Sequence, residues 1–295
     1  MAEHSSGGHI LNGCEKVCYR GRIAPSPTGF LHAGHARTFW IAQERARANS
    51  GVLVFRNEDL DPARSRPEFV EAMIEDLHWF GVEWQEGPDV GGPFAPYTQS
   101  QRIAFYREAF DRLRAANVVY PCQCTRKEVL SALQAPQAGD DEPIYPGTCR
   151  PGSGKETSLT TVSGRITWRF QVADGQEVAF EDGCCGPQAF VAGKDFGDFV
   201  VWRHDNLPSY QLAVVVDDAA MRMTEVVRGE DLLRSTARQL LLYRALQWTP
   251  PKFYHCPLVK DSSGMRLAKR HDALSLRTLR EDGESAATLR RRLFA

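Results

Sequence analysis

The chain has 295 residues, 42% of them hydrophobic and 25% charged, with a formal net charge of -1. That make-up fits an ordinary globular protein with one large core or two smaller ones, and it excludes a chain whose partner is set by bulk charge. No apolar run approaches the roughly 20 residues that span a bilayer, and the polar, glycine-rich residues 1–12 lack the apolar core of a secretory signal. Eight cysteines are too sparse for a disulfide scaffold. They are expected as thiols or metal ligands in a reducing cytoplasm.

In chain order, residues 1–18 read as a flexible tail, followed by a short strand that ends at Pro25. A helix pattern over 33–49 is closed by Gly51, expected as a left-handed cap. Residues 52–55 form an apolar strand, so strand, helix and strand make a βαβ unit, the element of a parallel sheet. The spacing Phe69, Val70, Met73, Ile74, Leu77 and Phe80 predicts a helix from Pro67 to Phe80, stopped by Gly81. Ile103, Tyr106, Phe110 and Leu113 predict the next helix.

Residues 121–163 change character, with a cysteine cluster followed by Gly-, Ser- and Pro-rich loops, and they read as an insertion. Alternation at Ile166, Trp168, Phe170 and Val172 predicts antiparallel strands. A βα pattern returns at 199–202, 212–216 and 224–227. A helix is expected over 232–248, a last strand over 253–259, and two short helices at the end. The stretch from Met265 onward holds eight Arg or Lys against four Asp or Glu, read as a solvated helix face.

The segment 22–35, RIAPSPTGFLHAGH, has the logic of a phosphate site. A strand ends, two prolines stiffen a turn, and Gly29 permits a path that a side chain would block. His32 and His35, three apart at a helix start, can face one ligand beside the free N–H groups of the helix terminus. Gly34 between them is expected to leave room for a nucleotide against the backbone.

This string resembles the HIGH signature of class I aminoacyl-tRNA synthetases in the form found in glutamyl-tRNA synthetases, written here His32-Ala33-Gly34-His35. The resemblance extends through 56–61 (RNEDLD), 76–84 (DLHWFGVEW), 97–102 (YTQSQR) and 227–232 (VRGEDL), and covers most of residues 20–275. At the place of the KMSKS signature the chain reads Arg266-Leu267-Ala268-Lys269-Arg270. Lys269 takes the second-lysine position, while Arg266 replaces the first lysine and Ala268 the serine.

The resemblance implies an α/β fold: a Rossmann-type parallel-sheet catalytic domain with an inserted zinc-binding subdomain and a short helical C-terminus. It implies catalytic roles for His32, His35 and Lys269. Pro25, Thr28, Gly29, His32, Gly34 and His35 are expected at ATP, joined from the second signature by Arg266, Leu267, Ala268, Lys269 and Arg270. Glutamate brings two carboxylates and one ammonium, which call for guanidinium forks and an acid. The positions matching the family's glutamate pocket are Arg22, Ala24, Ser26, Glu58, Tyr210 and Arg228.

Cys122-Gln-Cys124 and Tyr145-x₃-Cys149 offer three thiols and a phenol, one cysteine short of a four-cysteine site. The spacing resembles the zinc site of the glutamyl-queuosine tRNA(Asp) synthetase family, in which a tyrosine supplies the fourth ligand. One structural zinc on Cys122, Cys124, Tyr145 and Cys149 is the expectation, although the 125–144 loop is long for a compact site. Cys14, Cys18, His4 and His9 in the tail are not assigned to a metal; Cys184, Cys185 and Cys256 are read as structural.

The chain stops 25 residues after Arg270, where a full glutamyl-tRNA synthetase continues into anticodon-reading domains; none is expected here. With the cysteine set, this gives the expected activity: ATP–Mg²⁺ activation of L-glutamate and its transfer to the queuosine base of tRNA(Asp), by a cytoplasmic, membrane-free monomer. The expected division is a tail (1–18), a first catalytic half (19–120), the zinc subdomain (121–195), a second catalytic half (196–262) and a KMSKS-like loop with C-terminal helices (263–295). Three rivals stay open: a truncated synthetase charging a tRNA 3′ end, an adenylyltransferase with no tRNA partner, and a non-catalytic tRNA-binding or regulatory protein.

Overall fold

A computed structural model of the chain describes residues 18–131, 144–152, 165–259 and 275–294. It begins with β1 (Arg20–Ile23), α1 (Ala33–Ala48) and β2 (Val52–Phe55). The two strands pair in parallel, Arg20 opposite Val52 and Ile23 opposite Phe55, as the βαβ reading requires. Ile23, Leu53 and Phe55 pack with Ala36 and Ala42 of α1 and with Met73 and Leu77 of α2 (Pro67–Phe80). Helix α2 has proline in its first turn and stops at Gly81 in the left-handed region, φ 96°, as expected from the sequence.

The end of α1 differs from expectation. Its cap is Asn49, and the left-handed residue is Ser50 (φ 49°). Gly51 serves a close approach instead: a Cβ there would lie 2.5 Å from the Tyr19 carbonyl oxygen.

Strands β8 (Glu225–Gly229) and β9 (Lys252–Cys256) are also parallel, Arg228 opposite His255. The Thr224 N–H donates to the Arg20 carbonyl (2.9 Å), which lays β8 beside β1. The C-terminal ends of β1, β2, β8 and β9 therefore share one rim, the ligand-binding rim of open α/β sheets. Strand β9 ends sooner than expected because Pro257 has no N–H to continue a ladder.

An antiparallel sheet of β3 (Val119–Cys122), β4 (Thr167–Phe170) and β7 (Phe199–Trp202) lies to one side. The hairpin β5 (Glu177–Asp182) and β6 (Gly186–Val191) joins β9 through Asp182 opposite Phe253. Of the segment 121–195, then, β4 pairs with both β3 and β7, and the β5–β6 hairpin extends the sheet of β8 and β9. Residues 212–216 lie in helix α5 (Tyr210–Ala220), with every one of them buried. That helix packs with α3 (Ile103–Ala115) and α6 (Leu233–Leu246) in a second apolar cluster. Helices α4 (Arg126–Ser131), α7 (Leu276–Glu281) and α8 (Ala286–Phe294) complete the described α-helices. No helix among the described residues is long and apolar enough to cross a membrane.

Candidate active site

A cavity of ≈ 630 Å³ opens at the shared rim. The first-signature residues Pro25, Thr28, Gly29, His32, Gly34 and His35 line it. So do the glutamate-pocket residues Arg22, Ala24, Ser26, Glu58, Tyr210 and Arg228. Two stretches more than 200 residues apart in sequence thus meet because β1 and β8 are neighbours.

His32 and His35 build the start of α1 as well as the wall of the cavity. His32 is the N-cap, and its Nδ1 accepts from the Gly34 N–H (3.2 Å), while His35 Nδ1 accepts from the His32 N–H (3.4 Å). The rings lie 3.8 Å apart. With both Nδ1 atoms accepting, each neutral ring carries its proton on Nε2, a donor suited to a phosphate oxygen. Gly34 has a local reason to be glycine, since a Cβ there would come within 3.1 Å of the His32 ring.

The deep end of the cavity is charged. Arg22 is buried, and its Nη1 donates to the Val227 carbonyl (2.9 Å). Behind Glu58, the fully buried Arg56 donates from Nη2 to Glu58 Oε1 (2.8 Å) and from Nη1 to Asp218 Oδ1 (2.6 Å). Burial pushes the Glu58 carboxyl up, against the pull of Arg56 and Arg22. Burial lowers the Arg228 guanidinium's pKa, and Arg22 adds to this, while Tyr210 and Asp218 oppose it. Tyr210 is 41% exposed at the mouth, and burial raises its hydroxyl's pKa while Arg228 lowers it. Three guanidinium groups, Arg22, Arg56 and Arg228, face two carboxylates, Glu58 and Asp218, an excess of one positive charge. Asp217 also lies 3.7 Å from Arg56 Nε, but its closer partners are Arg102 Nε (2.6 Å) and the Tyr106 hydroxyl (2.9 Å), and counting it together with Arg102 leaves the balance unchanged. Such an arrangement favours a ligand with a net negative charge that also carries an ammonium for Glu58.

Lys269 and its neighbours Arg266, Leu267, Ala268 and Arg270 lie outside the described residues, as do His4, His9 and Cys14. Cys18 is exposed. Sequence reasoning missed Leu258 and Val259, which follow β9 and line the cavity, and Asp231 after β8. The strand-end rule applied to β9 points to the first two; Asp231 falls inside the 227–232 string but carried no assigned role.

A second cluster lies in the β3–β4 region. The Sγ atoms of Cys122, Cys124 and Cys149 all lie within 4.8 Å of one another. The Tyr145 hydroxyl is 3.4 Å from both Cys122 and Cys124, and Cys124 is 3.6 Å from Cys149. A tetrahedral zinc with bonds of about 2.3 Å to sulfur and 2.0 Å to oxygen separates its ligands by about 3.8 Å (S···S) and 3.5 Å (S···O). The 3.4 and 3.6 Å separations agree with that geometry. The Arg169 Nε–H, 3.3 Å from Cys122, and the Cys149 N–H, 2.8 Å from the Tyr145 oxygen, would steady negative ligands. Burial, with Cys122 and Cys149 adding to it, pushes the Cys124 thiol up to about 11.

The chain matches the family described as tRNA synthetases class I (E and Q), catalytic domain, over residues 19–294. It is 48% identical over 271 residues to the Glutamyl-Q tRNA(Asp) synthetase of Nitratidesulfovibrio vulgaris, covering 92% of this chain and 83% of that protein. The enzyme of the same name from Symbiobacterium thermophilum is 49% identical over 271 residues, 91% of this chain and 83% of the relative. Glutamate–tRNA ligase 2 of Nitrosococcus oceani is 42% identical over 91% of this chain, but only 57% of that protein is covered. Among solved structures, a glutamate tRNA ligase from Elizabethkingia meningosepticum in complex with its amino acid superposes with a TM-score of 0.73 at 29% identity, over 90% of this chain. The chain spans 53% of that structure, about half its length. The fold is thus the class I synthetase catalytic fold, and the chain belongs to the class I tRNA synthetases (E and Q), whose catalytic domain it carries.

Proposed function

We propose that the protein activates L-glutamate with ATP and transfers it to the queuosine base of tRNA(Asp), acting as a monomer in the cytoplasm. The observation that carries this reading is the cavity that joins Arg22, Glu58, Tyr210 and Arg228 to the His32–His35 helix start. The guanidinium groups of Arg22 and Arg228 match the two carboxylates of glutamate, and Glu58 matches its ammonium. The acceptor is supported by the two Glutamyl-Q relatives, each covered over 83% of its length, and by the cysteine–tyrosine cluster.

In the proposed reaction an oxygen of the glutamate α-carboxylate attacks the α-phosphorus of ATP. The bond to the bridging oxygen breaks, and pyrophosphate leaves. Arg22, Glu58 and Arg228 hold glutamate, and the Nε2–H groups of His32 and His35 donate to the phosphate oxygens as charge builds. Lys269 is proposed to steady the leaving pyrophosphate, and Mg²⁺ supplies further charge neutralisation when it accompanies ATP. A hydroxyl of the queuosine cyclopentene ring then attacks the glutamyl carbonyl and AMP departs. No side chain forms a covalent bond; orientation and fixed charge carry the rate.

Activation is tested by ATP–pyrophosphate exchange with glutamate and glutamine as separate substrates, without tRNA. Glutamate is expected to support exchange with a kcat/KM higher by about 10⁴-fold, because an amide leaves a buried guanidinium partly unpaired. Equal exchange with the two amino acids, or none with glutamate, would contradict the reading. A glutamate–tRNA ligase acting on a tRNA 3′ end is the second reading, favoured by the 42% identity to the Nitrosococcus oceani enzyme.

A further inference from the structure

We propose that Asp182 and His255 form a positioning pair for Arg228, in which the carboxylate fixes the imidazole tautomer and the imidazole fixes the guanidinium. The inference rests on the reading of the cavity as the glutamate pocket. It concerns two residues that do not line the cavity and that come from different elements, β5 and β9.

Both side chains are fully buried. Asp182 Oδ1 accepts three backbone N–H groups, from Cys184 (3.0 Å), Cys185 (2.8 Å) and His255 (3.1 Å). With that oxygen committed, Oδ2 faces His255 Nδ1 at 2.5 Å. A carboxylate can only accept, so the ring proton sits on Nδ1 and Nε2 keeps its lone pair. The Arg228 Nε–H donates to that lone pair (3.1 Å), and Arg228 Nη2 donates to Thr236 Oγ1 (2.7 Å) and Gln239 Oε1 (2.9 Å). Burial, followed by the nearby Arg228 charge, holds the imidazole down at about 4, against Asp182. His255 is therefore a neutral acceptor at physiological pH.

The rear edge of Arg228 is thus gripped by an imidazole, a hydroxyl and an amide oxygen, all uncharged. Among the described residues no carboxylate hydrogen-bonds Arg228. Its Nη1 is buried and meets no hydrogen-bond partner of good geometry there. A carboxylate placed directly on Nε would orient the fork equally well, but it would neutralise the charge that the ligand must meet. Placing the negative charge one ring further back keeps the orientation and preserves the attraction.

Asp182→Asn tests this with almost no change of shape. The three backbone N–H groups require an acceptor, so the amide oxygen takes the place of Oδ1 and the NH₂ points at Nδ1. The ring proton then moves to Nε2, where it faces the Arg228 Nε–H, donor against donor, with Thr236 as its remaining acceptor. In ATP–pyrophosphate exchange, the glutamate KM is expected to rise about tenfold or more, the effect of one charge-assisted hydrogen bond, with the ATP KM within about twofold of the parent's. His255→Ala should show the same split, and His255→Gln should recover part of it, because a carboxamide oxygen can stand where Nε2 accepts. Should Asp182→Asn fail to fold, the His255→Gln and His255→Ala pair carries the same comparison. Unchanged glutamate KM in folded variants, or equal rises for glutamate and ATP, overturns the pairing while leaving the pocket reading intact. A parent enzyme with no glutamate-dependent exchange overturns the pocket reading and the pairing with it.

Discussion

Arg228→Ala is expected to lower glutamate-dependent ATP–pyrophosphate exchange by about a thousandfold or more while the protein stays folded. The residue is 4% exposed and lies at the end of β8, where its guanidinium faces the cavity among neutral partners. Loss of the fork leaves a ligand carboxylate in a buried site without its charged donor, the costliest of polar deletions. Stability should respond differently. Burial lowers the Arg228 pKa, so its charged form is disfavoured in the folded state relative to the unfolded chain. The sign follows from linkage: for a base with a depressed folded pKa, the cost is fully present below that pKa and disappears only as pH rises above the unfolded value. At neutral pH the substitution removes that cost, which works against the loss of packing and of the hydrogen bonds to His255, Thr236 and Gln239. Thermal unfolding should give a cooperative transition with a midpoint lowered by several degrees at most, far less than the effect on exchange. Wild-type exchange in the variant would end the assignment of the pocket.

The second large effect is expected at the cysteine–tyrosine cluster. We propose that Cys122, Cys124, Tyr145 and Cys149 hold one structural zinc. Protein purified without chelator should contain about one zinc per chain, and Cys124→Ala should contain almost none. Three thiols and a phenol packed at 3.4–3.6 Å gain little from one another when protonated, and burial resists ionising the Cys124 thiol and the Tyr145 phenol. A divalent cation reverses that balance, and a structural zinc can contribute on the order of 10 kcal/mol to folding its region. Chelation should therefore open the β3–β4 region to limited proteolysis. The four donors do not line the cavity, so exchange should fall far less in Cys124→Ala than in Arg228→Ala. A metal-free preparation with unchanged resistance to protease would exclude the zinc.

Most of the cavity was legible in the sequence because its parts are local strings. The run from Arg22 to His35 is contiguous, and a strand end, a stiffened turn and a helix start must put its side chains together. Glu58, Tyr210 and Arg228 were reached only through the family resemblance, since nothing in periodicity joins β2 to β8. Asp182 and His255 gave no signal at all: 73 residues separate them, and each sits in a short strand where a buried polar residue reads as an interruption. Residues 212–216 were read only as part of a βα pattern, with no element type of their own, for another reason. A helix buried on every side has no polar face, so its run of Val214, Val215 and Val216 lacks the 3.6 period that marks a helix. Gly51 was read as a cap because glycine favours the left-handed region, whereas here the approach of the Tyr19 backbone demands it.

The identity of the acceptor is tested most directly by incubating the enzyme with ATP, labelled glutamate and tRNA(Asp) that either contains or lacks queuosine, each with its 3′ end intact or trimmed. Label is expected on both queuosine-containing tRNAs, trimmed or not, and on neither of the others. Label that follows the intact 3′ end and ignores the modified base would contradict transfer to queuosine.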